Sequence, residues 1–141
     1  MKLKIFSFSG ESFASDTVVS ATLMTSIGEI TVLENHSPLL TSIRPSNINV
    51  IYLNELGEKK EENFAIGKGI VEISANSVKV MADMLVDMEG IDIEAAEEAR
   101  KKAIELMEKY KNSQDKIDME KYIEAEDMLL RSIAQLKLSD L

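Results

Sequence analysis

The sequence predicts an α+β protein in two segregated parts: an N-terminal antiparallel β-sandwich or barrel over residues 1–88, then a C-terminal antiparallel two-helix hairpin over residues 89–141. Three observations carry this. Up to about residue 86, short runs rich in Ile and Val alternate apolar with polar residues and are separated by turn signals. After Gly90 the apolar positions recur in steps of three and four, the spacing of one helix face. Little helix-period signal is interleaved among the strands, which argues against an alternating βαβ chain.

Taken in order, "TVVSATLM" (17–24) alternates most clearly, and "GEITVL" (28–33), "NINVIYL" (47–53), "NFAIGKG" (63–69), "GIVEIS" (69–74) and "SVKVMA" (77–82) follow as strands. The breaks between them are "NELGEKK" with Gly57, "GKG" with Gly67 and Gly69, and "SANS" with Asn76. "GKG" reads as a tight turn in which glycine supplies positive φ. The stretch "GEITVLENHSPLLTSIRP" (28–45) holds the only histidine, His36, and both prolines, Pro38 and Pro45, and is expected to end in a stiff loop. Met81, Met84 and Met88 straddle the change of period and are expected to fill the junction between the two parts.

In the first helix Ala96, Ala99, Ala103, Leu106 and Tyr110 share a face, and Asp92 is placed to cap its N-terminus. Glu94, Glu97 and Glu98 lie early and Lys109 and Lys111 late, as the helix dipole favours. Glu97–Lys101, Glu98–Lys102 and Glu105–Lys109 have the spacing of i,i+4 ion pairs. "KNSQDKID" (111–118) breaks the pattern, Asp118 is a candidate cap, and Tyr122, Ala125, Leu129, Ile133 and Leu136 form the second stripe. An alanine stripe buries little area, so the hairpin must lean on the sandwich or exchange one surface for another, as a movable arm would.

Composition limits the function classes. A formal net charge of −9, from 16 basic and 25 acidic residues, argues against direct binding to nucleic acid or anionic lipid. With no cysteine there is no disulfide framework, thiolate nucleophile or thiolate metal site. No run of about 18 apolar residues offers a membrane-spanning helix, and the first residues lack a signal-peptide core.

Chemistry is sparse. His36 has only Glu29 and Glu34 near it in sequence, too few for a metal site, and no G-x-S-x-G marks a nucleophile. An enzyme built on His36 with either glutamate is the competing reading. In "AIGKGIVE", Lys68 is followed by Gly69 and a strand-like run rather than by Ser or Thr opening a helix, so it is not a phosphate loop. The sequence nominates no active site, and the residues alone read as a partner-binding sandwich plus hairpin.

On "GEITVLENHSPLLTSIRPS", "AIGKGIVEISANSVKVMAD", "DIEAAEEARKKA" and "YIEAEDMLLRSIAQLKL", the chain resembles the epsilon-subunit family of the rotary F-type ATP synthases over essentially its whole length. The resemblance implies a non-catalytic central-stalk subunit that couples rotation of the membrane c-ring to the catalytic head. Its sandwich would bind gamma and rest on the c-ring. Glu29 would meet the polar loops of the ring, His36 would lie near gamma, and Pro38, Leu39 and Leu40 would belong to the same docking region. The hairpin, extended, would restrain ATP hydrolysis through contacts of Lys121, Arg131 and Lys137 with beta, and with alpha. The implied location is peripheral, on the cytoplasmic face of a bacterial inner membrane, with membrane association only through the complex. No cofactor is required. Some relatives bind ATP on the hairpin, and Asp92 and Arg131 match part of that pattern. Ala95 stands where the pattern has arginine, and Gln135 follows Arg131, which removes cationic partners for phosphate. An ATP-sensing hairpin, and a partner-binding sandwich outside this complex, are the alternatives.

Overall fold

The computed structural model describes residues 1–141. Ten strands come first: β1 Lys2–Ser7, β2 Ser12–Ser15, β3 Val18–Thr25, β4 Gly28–Leu33, β5 Leu39–Ile43, β6 Ser46–Leu53, β7 Lys59–Ile66, β8 Gly69–Ile73, β9 Ser77–Ala82 and β10 Leu85–Asp87. A 3₁₀ turn, Met88–Gly90, leads into α1 (Ile93–Tyr110) and α2 (Lys116–Ser139). The α+β fold class read from the sequence is the one observed: strands first, then two helices.

The strands run β10-β7-β6-β3-β5-β8-β9-β1-β2, with β4 added to β3. The link between β3 and β5 is a single pair, Thr25 with Ile43, so the sheet folds over there into two layers. Alternation supplies the filling: Leu3, Ile5, Leu23, Ile48, Val50, Val71 and Val80 are almost wholly buried in one core cluster. On the far side Phe13 of β2 stacks obliquely on Phe64 (5.0 Å between ring centres) and edge-on to Tyr52 (5.9 Å), which closes the sandwich. One pairing departs from the antiparallel expectation, since β1 lies parallel to β9.

Two local expectations are corrected. Residues 39–43 form β5, paired along its whole length with β8, so Pro38 and Pro45 bracket a strand instead of sharing a loop. Proline has no N–H for a sheet ladder, and it sits here just outside the paired residues. Gly67 and Gly69 do not adopt positive φ; Gly10, Gly28 and Gly57 do. They are small because the facing chain is close. A Cβ on Gly67 would run into the Asp83 carboxylate, and one on Gly69 into the backbone carbonyl of Met81.

The helices obey their caps more than their expected ion pairs. Asp92 accepts a hydrogen bond from the Ala95 amide (3.1 Å) and starts α1 as predicted. For α2 the cap is Asp115, which accepts from the Ile117 amide (2.8 Å). Asp118 lies in the first turn and accepts from the Ser113 hydroxyl (2.9 Å). None of the three predicted i,i+4 pairs closes. The ion pairs are Lys60–Glu58 at 3.7 Å and Lys111–Glu108 at 2.8 Å, because solvated side chains gain little by holding one geometry. The Lys111 amine is held above its ordinary pKa by the hydrogen bond to Glu108.

Helix α2 has two working faces where the sequence suggested one. Ala125, Ser132, Ala134 and Leu138 are buried, while Ile133 and Leu136 are only half-buried. Ala134 and Leu138 pack with Ala65 and Met84 of the sandwich, so the hairpin leans on β6 and β7. Two polar contacts support that junction: the Asn47 side-chain amide donates to the Ala134 carbonyl (2.8 Å), and the Gln135 amide to the Met84 sulfur (3.3 Å). Of the three methionines expected there, Met84 alone is buried; Met81 and Met88 are exposed.

Candidate docking surface

Among the predicted docking residues, Glu29 and His36 lie toward opposite ends of the edge strand β4, whereas Leu39 and Leu40 belong to β5. A two-residue turn, Ser26-Ile27, closes the β3–β4 hairpin, with Gly28 at φ 113° accepting a hydrogen bond from the Thr25 hydroxyl (2.7 Å). Glu29, next in line, is exposed. His36 lies three residues beyond the other end of β4. At about 3.4 Å per residue, Glu29 to Leu33 alone covers roughly 14 Å, so Glu29 and His36 do not form one site.

The loop between β4 and β5 is pinned. The Asn35 amide donates to the Ala75 carbonyl (2.9 Å), tying the loop to the β8–β9 turn, and the His36 amide donates to Leu33 (3.2 Å). Asn35 is the one non-glycine residue with positive φ, 63°, a conformation that Asn tolerates better than most. Nδ1 of the half-buried His36 donates to the Ser37 carbonyl (2.7 Å). Pro38 is exposed. The leucine pair is split by the strand: Leu39 packs against the core, whereas Leu40 faces outward, 70% exposed.

Register extends the surface beyond the residues nominated from sequence. On the outer face of the β5-β8-β9-β1 layer, Ser42 pairs with Ile70, Ile70 with Met81, and Met81 with Phe6. The neighbouring row is Leu40, Glu72, Lys79 and Lys4. Ile70, Met81 and, just past β1, Phe8 are exposed, so one apolar band with a charged row beside it crosses this layer. Only the strand order brings these residues together, and Met81, expected at the junction, belongs to this outer face instead.

The hairpin residues disperse. Lys121 lies over the Tyr110 ring, 5.4 Å from its centre. Arg131 lines a cavity of about 260 Å³ between the helices with Ala95, Ala96, Ala99, Met128, Ser132 and Gln135. Lys137 lines a groove of about 700 Å³ between α2 and the β3–β6 face, together with Glu29 and Arg44. The span from Lys121 to Lys137 is about 24 Å at 1.5 Å per residue, so the three cations make no common patch with the helices in this position. Asp92 is occupied with its cap and does not line the cavity beside Arg131. No group of three or more His, Asp or Glu residues is placed to hold a metal ion. No helix is long and apolar enough to cross a membrane.

Residues 1–88 match the family described as ATP synthase, delta/epsilon chain, beta-sandwich domain. The chain is 33% identical to the ATP synthase epsilon chain of Ligilactobacillus salivarius over 115 residues, covering 82% of this chain and 78% of that one. It is 34% identical to that of Bordetella parapertussis over 113 residues (79% and 75%), and 31% identical to that of Herminiimonas arsenicoxydans over 136 residues (96% and 90%). Among solved structures, a chain of the Euglena gracilis mitochondrial ATP synthase has the same fold, with TM-score 0.73 and 23% identity over 99% of this chain and 80% of that one. A chain from the central stalk and c-ring of the Tetrahymena thermophila enzyme superposes at 0.63 with 12% identity over 99% and 96%. With its sandwich matched by the family and its length shared with bacterial epsilon chains, the chain belongs to the ATP synthase delta/epsilon-chain family.

Proposed function

We propose that this epsilon-type chain is a non-catalytic stalk subunit that docks through its sandwich and regulates through its hairpin. The sandwich, residues 1–88, holds gamma and rests on the c-ring, so that rotation of the ring reaches the catalytic head. Residues 89–141 are the regulatory unit, which restrains ATP hydrolysis by leaving the sandwich and meeting beta and alpha. The subunit works peripherally, on the cytoplasmic face of a bacterial inner membrane.

The observation that carries this reading is the outward Leu40 beside the Ile70–Met81 band, next to a loop fixed by Asn35 and His36. An apolar band on a preshaped surface lowers the ordering cost of association and suits a permanent partner. Glu29 lines the groove beside α2 instead, a position that supports a polar contact with ring loops apart from the apolar contact with gamma. Leu40→Asp tests the reading: it places a charge in the apolar contact and is expected to weaken gamma binding at least about tenfold, or ~1.4 kcal/mol. Unchanged affinity in a calorimetric titration with gamma would remove the band from the interface.

Nucleotide sensing by the hairpin has one structural feature in its favour, the cavity that Arg131 shares with Ala95. A single cation leaves a triphosphate without paired charge. Titration of the full chain with ATP is therefore expected to give no saturable signal, and saturation abolished by Arg131→Ala would establish the sensor instead.

A further inference from the structure

We propose that Met84 is a modification site, a thioether shielded while the hairpin is docked and open to oxidation by a peroxide once the hairpin leaves, with the sulfoxide then opposing redocking. This rests on the reading of the hairpin as a releasable arm.

The chain has eight methionines, and Met84 is the buried one, 7% exposed against 36% for Met24, 37% for Met81 and 52% for Met119. Its shield comes largely from the arm. Ala134 and Leu138 of α2 pack with it, and its one polar partner, the Gln135 amide at 3.3 Å, is also on α2. The sandwich supplies Ala65 and the backbone of Gly67, with Val86 beside it, and Ile91 packs on the same cluster from the start of the hairpin. Withdrawal of α2 therefore uncovers the sulfur.

The chemistry needs only a hydroperoxide. A sulfur lone pair attacks one oxygen of hydrogen peroxide, the O–O bond breaks and an S–O bond forms; the leaving hydroxide takes the proton of the transferred oxygen and departs as water. Sulfur loses two electrons and the peroxide gains them. The product fits the docked site badly. An oxygen added toward Gln135 falls inside contact distance of its amide nitrogen, and one added elsewhere meets the closed walls of Ala65, Ala134 and Leu138. A polar S=O in that setting loses its water without regaining an equivalent set of partners. Released chains would thus be held released until the sulfoxide is reduced.

The test is timed treatment of the full chain with hydrogen peroxide, with peptide mass spectrometry of each methionine. Docking is followed by NMR contacts between the Leu138 and Ala65 methyl groups. With a released state populated at ~0.1–10%, Met84 should oxidise roughly ten- to a thousandfold slower than Met119. Asn47→Ala removes the bond to Ala134, and is expected to speed Met84 oxidation severalfold while leaving Met119 unchanged. After oxidation the Leu138–Ala65 contacts should vanish in the native chain and persist in Met84→Leu, which keeps the packing without the oxidisable sulfur. If Met84 oxidises as fast as Met119, or oxidised native chain and oxidised Met84→Leu keep the same contacts, the inference is overturned. If Asn47→Ala alters neither Met84 oxidation nor the methyl contacts, the releasable arm fails with it.

Discussion

At the scale of single residues, the loop from Glu34 to Pro38 shows how the candidate docking surface is held in shape by its own backbone. Asn35 holds a left-handed conformation that costs most L-residues about 1–2 kcal/mol, and its amide ties the loop to Ala75. Asn35→Gly should be nearly neutral in thermal unfolding, whereas Asn35→Val should lower stability by about that amount; equal effects would show that the conformation is not what matters. Leu39 and Leu40 separate two roles that adjacent positions conceal. Leu39→Asp puts a charge against the core and is expected to destabilise the fold by more than ~2 kcal/mol, while Leu40→Asp should leave the melting temperature close to native. The sequence marked this pair as special but not its division, because which leucine faces inward depends on residues 39–43 being a strand. His36 was legible as the odd residue of the loop. Its bond to the Ser37 carbonyl depended on a backbone path that no motif encodes.

At the scale of elements, what sequence reveals depends on how local the cause is. Asp92 was legible as a cap because its partner, Ala95, lies three residues on. Asp115 was not, since Asp118 offers the same chemistry one turn later, and Ser113 decides between them by engaging Asp118 from outside the helix. β5 was hidden by the prolines on either side, and β2 and β10 by their brevity. The second buried face of α2 was hidden for a different reason: Ala134 is small and Leu138 comes near the end, so the stripe of Tyr122, Leu129 and Ile133 dominates the pattern. That second face bears the load of docking. Leu138→Ala removes a fully buried side chain from a four-residue cluster and should cost about 2–4 kcal/mol of hairpin docking. The methyl contacts of Ala65 should weaken while amide exchange in β3 and β6 stays slow. Protection lost throughout the sandwich would mean that the two parts unfold together.

At the scale of the whole molecule, the fold class was readable because a period of two and a period of 3.6 occupy separate halves of the chain. The layering was not: it hangs on the single Thr25–Ile43 link and on the parallel pairing of β1 with β9, both products of contacts distant in sequence. The apolar band of Ile70, Met81 and Phe6 was out of reach for the same cause. The strands that carry its residues become neighbours only in the folded sheet. The hairpin joins the sandwich through a cluster of four buried residues, against seventeen in the main core, so each half holds most of its own stabilising contacts. Fragment 1–90 should therefore unfold cooperatively by itself, with Ala65 and Met84 newly exposed.

The sandwich face is the part proposed to join this chain to the stalk. The measurement that tests it most directly is capture of partners from detergent-solubilised membranes by tagged full chain, by fragment 1–90 and by Leu40→Asp, under conditions in which the resident epsilon chain exchanges. Recovery of gamma with the c-ring by the first two, and its loss with Leu40→Asp, is the expected result. Equal recovery by Leu40→Asp, or recovery that requires residues 91–141, would contradict it.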